Sequence, residues 1–136
     1  MIALVKRFID VVVASLGLMV MGPLMIVVAI VIRATMGSPV LFRQRRPGLH
    51  GRLFMVLKFR TMCVDSERER QSQFDAHRVT PLGRILRHTS LDELPQLITV
   101  LRGDMSLVGP RPLLPEYLPY YSKREALRHT VRPGIT

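Results

Sequence analysis

Apolar residues are concentrated near the N-terminus of this chain. Between residues 8 and 32 only Asp10 and Ser15 are polar, and such a segment measures about 37 Å as an α-helix, enough to cross a bilayer. Gly22 and Pro23 lie in its middle, where the proline removes a backbone hydrogen bond and bends a helix. The segment is too long for the apolar core of a signal peptide. The pattern therefore predicts a membrane helix with a bend at Gly22-Pro23.

Positive charges flank this apolar segment on both sides. Such a distribution fits a helix whose two ends face the cytoplasm, because a true span normally has its excess of cations on one side. A helix that enters the membrane, bends at Pro23 and returns would satisfy both observations. Proline and glycine are nevertheless common in ordinary transmembrane helices, so the residues alone favour a straight span. The flanking cations are Lys6, Arg7, Arg33, Arg43, Arg45 and Arg46.

A basic hairpin is predicted next. The runs 39–42 and 53–59 are rich in β-prone residues, and the segment 45–52 between them contains proline, glycine and three arginines. This loop could rest on anionic lipid headgroups, or it could be a solvated charged turn. Both interpretations remain open at this point.

Two shorter elements are predicted beyond the hairpin. Residues 65–73 alternate in charge without an apolar stripe, which indicates an exposed helix or a loop. Thr80 and Pro81 are typical of the start of a helix, here with leucine and isoleucine at positions 82, 85 and 86. That helix could lie on a membrane with Arg84 and Arg87 at phosphate level, or pack against a neighbouring helix. One or two helical turns are expected at 123–128.

Residues 90–96, SLDELPQ, predict the start of another helix. Ser90 and Glu93 have the spacing of a capping box, and Gly103 is suited to end the helix. Asp92 and Glu93 would then lie in the first turn, where the helix dipole favours negative charge. Adjacent helical residues point about 100° apart, so these two acids are not expected to share one proton. For an isolated S-x-x-E pattern, helix capping alone is the more common explanation.

Cations in other motifs give these acids a chemical context. Lys58 and Arg60 end the second predicted strand, and Arg111 stands between two prolines that stiffen its loop. Carboxylates between fixed cations suit phosphoryl chemistry assisted by a divalent metal. Each cation could instead be structural.

Composition narrows the classes of partner. A chain of 136 residues allows one modest domain, and its net charge of +10 implies an anionic partner such as nucleic acid, anionic lipid or a phosphorylated substrate. Aromatic residues for stacking bases are few, with no tryptophan, three tyrosines and five phenylalanines. The single Cys63 excludes an internal disulfide and is expected to be a packing thiol. The four histidines lack the spacing of metal ligands.

Four linked motifs resemble those of a known family. KFRTM at 58–62, TSLDELPQ at 89–96, GDMSLVGPRP at 103–112 and RPGIT at 132–136 are similar, in order and spacing, to the bacterial sugar transferases, which are monotopic phosphoglycosyl transferases. The family pattern Q-x-R-x-G-x-x-G is also present, as Gln44, Arg46, Gly48 and Gly51. The chain departs from the usual pattern with Gly22 before Pro23, Pro47 in the basic loop and Thr99 in the helix.

The resemblance implies a fold and a location. The fold would be α+β and mainly helical, with a re-entrant membrane helix in residues 1–36 bent at Gly22-Pro23. Residues 37–136 would form a catalytic domain with a small β-hairpin and amphipathic surface helices, C-terminally short relative to the family. The protein would lie at the cytoplasmic face of a bacterial plasma membrane.

The resemblance also implies a reaction. A sugar-1-phosphate would pass from a UDP-sugar to polyprenol phosphate through a phosphosugar-aspartate intermediate, with release of UMP, as the first membrane step of glycan assembly. Asp92 would be the nucleophile and Glu93 the second acid, both as ligands of Mg²⁺. The alternatives are a membrane-anchored basic binding module and an inactive fragment of such an enzyme. No nucleic acid partner is expected, and the oligomeric state stays open. The expected phosphate-binding residues are Lys58, Arg60, Arg87 and Arg111.

Overall fold

The fold is mainly helical with one small antiparallel sheet, as the sequence predicts. The computed structural model of the chain describes residues 2–63 and 79–135, so the segment predicted at 65–73 lies outside the described residues. These two ranges contain four α-helices and two strands, joined by short 3-10 turns. Their bounds are α1 Ile2–Met36, β1 Leu41–Pro47, β2 Leu53–Phe59, α2 Pro81–His88, α3 Gln96–Arg102 and α4 Lys123–Ala126.

Helix α1 contains the whole predicted apolar segment. It runs for 35 residues with Pro23 inside it, and by length and composition it could cross a membrane. Its apolar window has a mean hydropathy of 2.6, and many of its large side chains have no protein partner on their outer side. These observations indicate association with a membrane. The re-entrant course, like the division of the chain at residue 36, stays a prediction.

The inner side of α1 packs against the rest of the chain in two places. In its first half, Ala14 is buried in a cluster with Val56, Val100 and Met105. In its second half, Ile32 is fully buried in a second apolar cluster. That cluster is made of Val28, Ile32, Phe59 and Leu86. Burial of each large side chain stabilises the fold by about 2 kcal/mol, so both halves of α1 are held to the same body.

Polar contacts explain why Asp10 interrupts the apolar segment. Its carboxylate is 5% exposed and accepts hydrogen bonds from Ser106 Oγ at 2.8 Å and the Leu107 backbone N at 3.1 Å. Lys6 lies one turn earlier and also donates to Ser106. Arg7 donates to the carbonyl oxygens of Val100 and Leu101 in the last turn of α3. The first turns of α1 are thereby fastened to the GDMSLVGPRP segment.

The predicted hairpin is confirmed, with a longer first strand. Leu41 lies opposite Phe59 and Pro47 opposite Leu53, so β1 continues five residues beyond the predicted end at position 42. Side chains of a strand alternate between two faces. Gln44 and Arg46 therefore share one face of the sheet.

The start of α2 follows the prediction. The side chain of Thr80 accepts a hydrogen bond from the Gly83 backbone N at 2.9 Å, and Pro81 occupies the first turn. Leu86 is buried against α1, so packing on a neighbouring helix is the alternative that the structure shows. A side chain at Gly83 would clash with the backbone of Thr61. This close approach fixes α2 against the end of the hairpin.

The predicted capping box at Ser90 is wrong. Ser90 has a φ of 57°, in the left-handed region, and its side chain makes no capping hydrogen bond. Leu91–Glu93 form a 3-10 turn, and α3 begins only at Gln96. Pro95 directly precedes α3, and a proline has no backbone N–H to continue a helical hydrogen-bond ladder upstream. The end of α3 at Gly103, with a φ of 95°, agrees with the prediction.

Candidate active site

One cavity brings together all the predicted site residues outside the membrane helix. It has a volume of about 760 Å³ and lies between the hairpin, α2, the 3-10 turn Leu91–Glu93 and the Pro110–Pro112 loop. The predicted kink residues Gly22 and Pro23 are elsewhere, within α1. The predicted residues that line the cavity are Lys58, Arg60, Arg87, Asp92, Glu93 and Arg111.

Asp92 and Glu93 occupy different environments although they are adjacent. Glu93 Oε1 accepts from Lys58 Nζ at 2.5 Å and from Arg111 Nη2 at 3.3 Å. Asp92 is only 8% exposed, and within the described residues its carboxylate forms no ion pair. Glu93 is thus neutralised by two cations, whereas the carboxylate of Asp92 stays available.

Burial sets the protonation behaviour of Asp92. Loss of water around the carboxyl raises its pKa, and the nearby charge of Glu93 raises it further. Lys58 and Arg87 act in the opposite direction without cancelling these effects, so the pKa of Asp92 stays above its ordinary value. A bound cation would favour the carboxylate form.

The loop that carries Arg111 is fixed by its backbone. The Arg128 guanidinium donates to the Arg111 carbonyl oxygen at 3.0 Å, and the Gly134 N donates to the Pro110 carbonyl oxygen at 3.1 Å. The side chain of Arg111 is 70% exposed and reaches the cavity from this fixed loop. Its flanking prolines restrict the backbone further. An exposed guanidinium on a rigid loop suits the capture of a charged ligand.

The C-terminal segment packs directly on this loop. The Ser106 backbone N donates to the Pro133 carbonyl oxygen at 2.8 Å, and the Ile135 N donates back to Ser106. Gly109 and Gly134 face each other so closely that a side chain on either would clash with the other backbone. The motifs GDMSLVGPRP and RPGIT, far apart in the sequence, therefore form one support for Arg111.

Arg87 and Arg60 differ in how freely they face the cavity. Arg87 Nε donates to Thr61 Oγ1 at 2.9 Å, and its charge acts on Asp92. Arg60 is 5% exposed and donates to the carbonyl oxygens of Met36 and Gly37, at the end of α1. The geometry gives Arg60 a structural task. Its contact with phosphate stays a prediction.

Several residues that line the cavity were not predicted for the site. Arg46 and Gln44 line it from β1, although the sequence places Arg46 in a loop. The alternation of β1 could have indicated this, had the strand been extended to Pro47. Cys63 also lines the cavity and is exposed, so the prediction of a packing thiol is wrong.

The carboxylates fit a magnesium site of one particular kind. Among the described residues, no group of three or more His, Cys, Asp or Glu side chains could hold a metal ion. Mg²⁺ is often bound by one or two carboxylates together with substrate phosphates. Asp92, whose carboxylate has no ion-pair partner among the described residues and faces the cavity, would hold Mg²⁺ in such an arrangement.

Comparison with known proteins identifies the family. The sequence model of the family described as bacterial sugar transferase matches residues 1–136, and this chain belongs to that family. It is 47% identical over 133 residues to the uncharacterized sugar transferase EpsL of Bacillus subtilis, covering 98% of this chain and 66% of the relative. The chain therefore spans less than two thirds of that relative's length.

Two further relatives have names that state a reaction. One is a UDP-glucose:undecaprenyl-phosphate glucose-1-phosphate transferase of Caulobacter vibrioides, 49% identical over 136 residues, with 96% of this chain and 51% of the relative covered. The other is a UDP-N-acetylgalactosamine-undecaprenyl-phosphate N-acetylgalactosaminephosphotransferase of Aeromonas hydrophila, 39% identical, with 98% and 33% covered. Both names describe transfer of a phosphosugar to undecaprenyl phosphate.

Proposed function

We propose that this chain carries the active site of a phosphoglycosyl transferase. The donor is a UDP-sugar, the acceptor is undecaprenyl phosphate, and the products are a lipid-linked diphosphosugar and UMP. One observation carries the proposal: Asp92 is buried at a cavity, has no ion-pair partner among the described residues, and lies beside Glu93, which Lys58 and Arg111 neutralise. The printed functions of the relatives support the same reaction class.

Asp92 is the nucleophile of the first step. A carboxylate oxygen attacks the β-phosphorus of the donor, and the bond from that phosphorus to the bridging oxygen breaks. UMP leaves with the bridging oxygen and its electron pair, and the phosphosugar is held as an acyl phosphate on Asp92. Covalent capture divides one difficult displacement into two easier ones. The low exposure of Asp92 supports this role, because water is kept from the intermediate.

The lipid phosphate completes the transfer. One of its oxygens attacks the same phosphorus, the acyl phosphate bond breaks, and the carboxylate of Asp92 is regenerated. A phosphate monoester is largely dianionic near pH 7, since its second pKa is about 6. The attack therefore needs no protein base.

Glu93 serves by holding the cations that face the phosphates. Its contacts with Lys58 and Arg111 fix two positive groups beside Asp92, where negative charge accumulates as UMP leaves. Asp92 would hold Mg²⁺, and the bound cation would further neutralise that charge. Glu93 thus positions the cations that stabilise the developing negative charge, and Asp92 forms the covalent bond to phosphorus.

We place the site at the cytoplasmic membrane surface, with α1 entering and leaving on the same side. The contacts of Asp10 and Ile32 on α1 are about 33 Å apart along a helix, more than the hydrocarbon thickness of about 30 Å. Both contacts are with the same polar, cationic body. If α1 crossed the membrane as a straight helix, part of that body would have to lie within the bilayer. The packing therefore supports a re-entrant course. The active site then binds nucleotide sugars from the cytoplasm.

A transfer assay tests the proposed function. Purified protein in lipid nanodiscs is incubated with UDP-sugar labelled in the sugar, Mg²⁺ and undecaprenyl phosphate, using UDP-glucose and UDP-N-acetylgalactosamine as donors. Label is expected in the lipid fraction, and Asp92→Asn should abolish it while membrane association persists. A binding module would give salt-sensitive binding that is indifferent to Asp92, and an inactive fragment would bind donor without transfer. Turnover retained by Asp92→Asn would remove the nucleophile assignment.

A further inference from the structure

Arg46 lies on the cavity face of the hairpin. Phe42, Gln44 and Arg46 alternate along β1 and therefore share one face, and all three line the cavity. The strand register puts Phe42 directly opposite Lys58, which belongs to the same face. Arg45, the next residue along β1, is exposed and points to the opposite face. Of these two neighbouring arginines, only Arg46 is presented to the substrate cavity.

The Arg46 guanidinium is held in place by neutral acceptors. Its Nε and Nη2 donate to Gln44 Oε1 at 3.2 and 2.7 Å, and its Nη1 donates to the Pro112 carbonyl oxygen at 3.4 Å. A guanidinium has five N–H donors. Three are used by these bonds, so two remain without an acceptor in the described part of the chain. The group is oriented, but its hydrogen-bonding capacity is not exhausted.

The charge of Arg46 is also left without a carboxylate partner in contact. Within the described residues Arg46 forms no ion pair, and it lines the same cavity as another guanidinium, that of Arg111, whose charge acts on it more strongly than that of Glu116. Burial and Arg111 together lower the pKa of Arg46, against a weaker opposing effect of Glu116. Two guanidinium groups kept close together are stabilised by an anion placed between them. Planar guanidinium groups match phosphate oxygens especially well.

We propose that Arg46 is a further phosphate-binding residue of this site and that it holds one substrate phosphate together with Arg111. The inference rests on the proposed function, because that reaction supplies the phosphates. The bound group belongs either to the diphosphate of the nucleotide sugar or to the lipid phosphate, which present the same oxygens. In this arrangement Gln44 and Pro112 orient the Arg46 guanidinium, and Arg111 reaches the same phosphate from its fixed loop.

Paired arginine variants test the inference. Arg46→Met removes the charge with little change in length. Arg46→Lys keeps the charge but loses the planar guanidinium with its paired N–H donors. Arg45→Met is the matched control on the opposite face. Three quantities are measured in nanodiscs: the affinity for UDP by calorimetry, the KM for each of the two substrates, and the melting temperature. Arg46→Met should raise one KM about tenfold to a hundredfold. Arg46→Lys should recover part of this loss, and Arg45→Met should match the unsubstituted protein.

The outcomes separate the sources of the phosphate from failure of the inference. Weaker UDP binding with a raised donor KM identifies the nucleotide diphosphate, and a raised KM for undecaprenyl phosphate alone identifies the lipid. Equal losses in Arg46→Met and Arg46→Lys, with lower melting temperatures, would reduce Arg46 to a brace for the Pro112 loop and overturn the inference. So would an Arg46→Met variant that behaves as Arg45→Met while the unsubstituted protein transfers sugar. If that protein neither binds UDP nor transfers, the proposed function itself fails and the inference with it.

Discussion

The ammonium group of Lys58 lies 2.5 Å from Glu93 Oε1, and this ion pair distinguishes Glu93 from its neighbour Asp92. Lys58 comes from β2 and Glu93 from the 3-10 turn before α3, so tertiary packing creates the pair. Arg111 adds a second cation to the same carboxylate oxygen. Asp92 has no such partner within the described residues. Its burial removes water from the carboxyl group and makes the ionised form costly. The two acids therefore have separate tasks.

Glu93→Gln should lower activity without changing the nucleophile. The amide keeps the shape of the side chain but releases Lys58 and Arg111 from their charged partner, so the electrostatic support of the leaving group is misplaced. We expect kcat/KM to fall by about a hundredfold. Steady-state kinetics with the UDP-sugar measure this. Glu125→Gln is the control, since Glu125 closes the capping box of α4 at Ser122, away from the cavity lining. A Glu93→Gln variant with normal kinetics would contradict the assigned task.

Asp92→Asn should stabilise the protein near neutral pH while abolishing transfer. The pKa of Asp92 is raised mainly by burial, so the folded state holds the proton more tightly than the unfolded state does. The ionised form is therefore penalised on folding, and stability falls as pH rises from the ordinary aspartate pKa through the raised one. The neutral amide avoids that penalty at pH 7.

Melting temperatures measured with EDTA, which removes bound cations, check the sign of this effect. Asp92→Asn should melt above the unsubstituted protein at pH 7, and the difference should disappear at a pH below the ordinary aspartate value. A lower melting temperature at pH 7 would show that attraction to Lys58 and Arg87 outweighs the desolvation of Asp92.

Gly134→Ala should disable the support of Arg111. The added methyl group would clash with the backbone of Gly109 and push the C-terminal segment away from the Pro110–Pro112 loop. We expect a loss of about 1–3 kcal/mol in stability, typical of overpacking, together with a higher KM for the donor. Chemical denaturation and kinetics measure the two effects. Val131→Ala, three residues earlier and exposed, should change neither. An unaltered Gly134→Ala variant would mean that the two segments separate freely.

Short-range patterns predicted much of this fold because their causes are local. The β-prone runs indicated the hairpin, and Thr80-Pro81 indicated the start of α2. The motifs also predicted Lys58, Asp92 and the other site residues, which the structure brings together in one cavity. The hairpin and the start of α2 could be predicted because they depend on residues a few positions apart. The site residues could be predicted because the family resemblance covers the whole chain.

The failures have a physical reason that local patterns do not contain. Arg60 has its partners at Met36 and Gly37, and Asp10 has its partner at Ser106, 96 residues away. Such pairings arise from tertiary packing, so the contacts of Arg60 with the end of α1 could not be predicted from its position at the end of a strand. Ser90 failed as a helix cap because Pro95 delays the start of α3.

Cysteine labelling tests the course of α1. Ala3→Cys and Ser38→Cys, each in a Cys63→Ala background, place one thiol before and one thiol after the membrane helix. In inverted vesicles, a membrane-impermeant maleimide should label both, because the proposed topology puts both ends of α1 on the cytoplasmic side. In intact spheroplasts neither should react. Opposite accessibility of the two positions would show a true span and contradict the proposed topology.

The central claim is that Asp92 becomes covalently attached to the phosphosugar, and trapping that intermediate tests it most directly. The protein is incubated with Mg²⁺ and UDP-sugar labelled at the β-phosphate, without lipid acceptor, then quenched and digested for mass spectrometry. We predict label on the peptide that contains Asp92, its loss on adding undecaprenyl phosphate, and no label in Asp92→Asn. Formation of labelled lipid by a protein that never carries label, with turnover retained in Asp92→Asn, would contradict the account and indicate direct transfer between the two substrates.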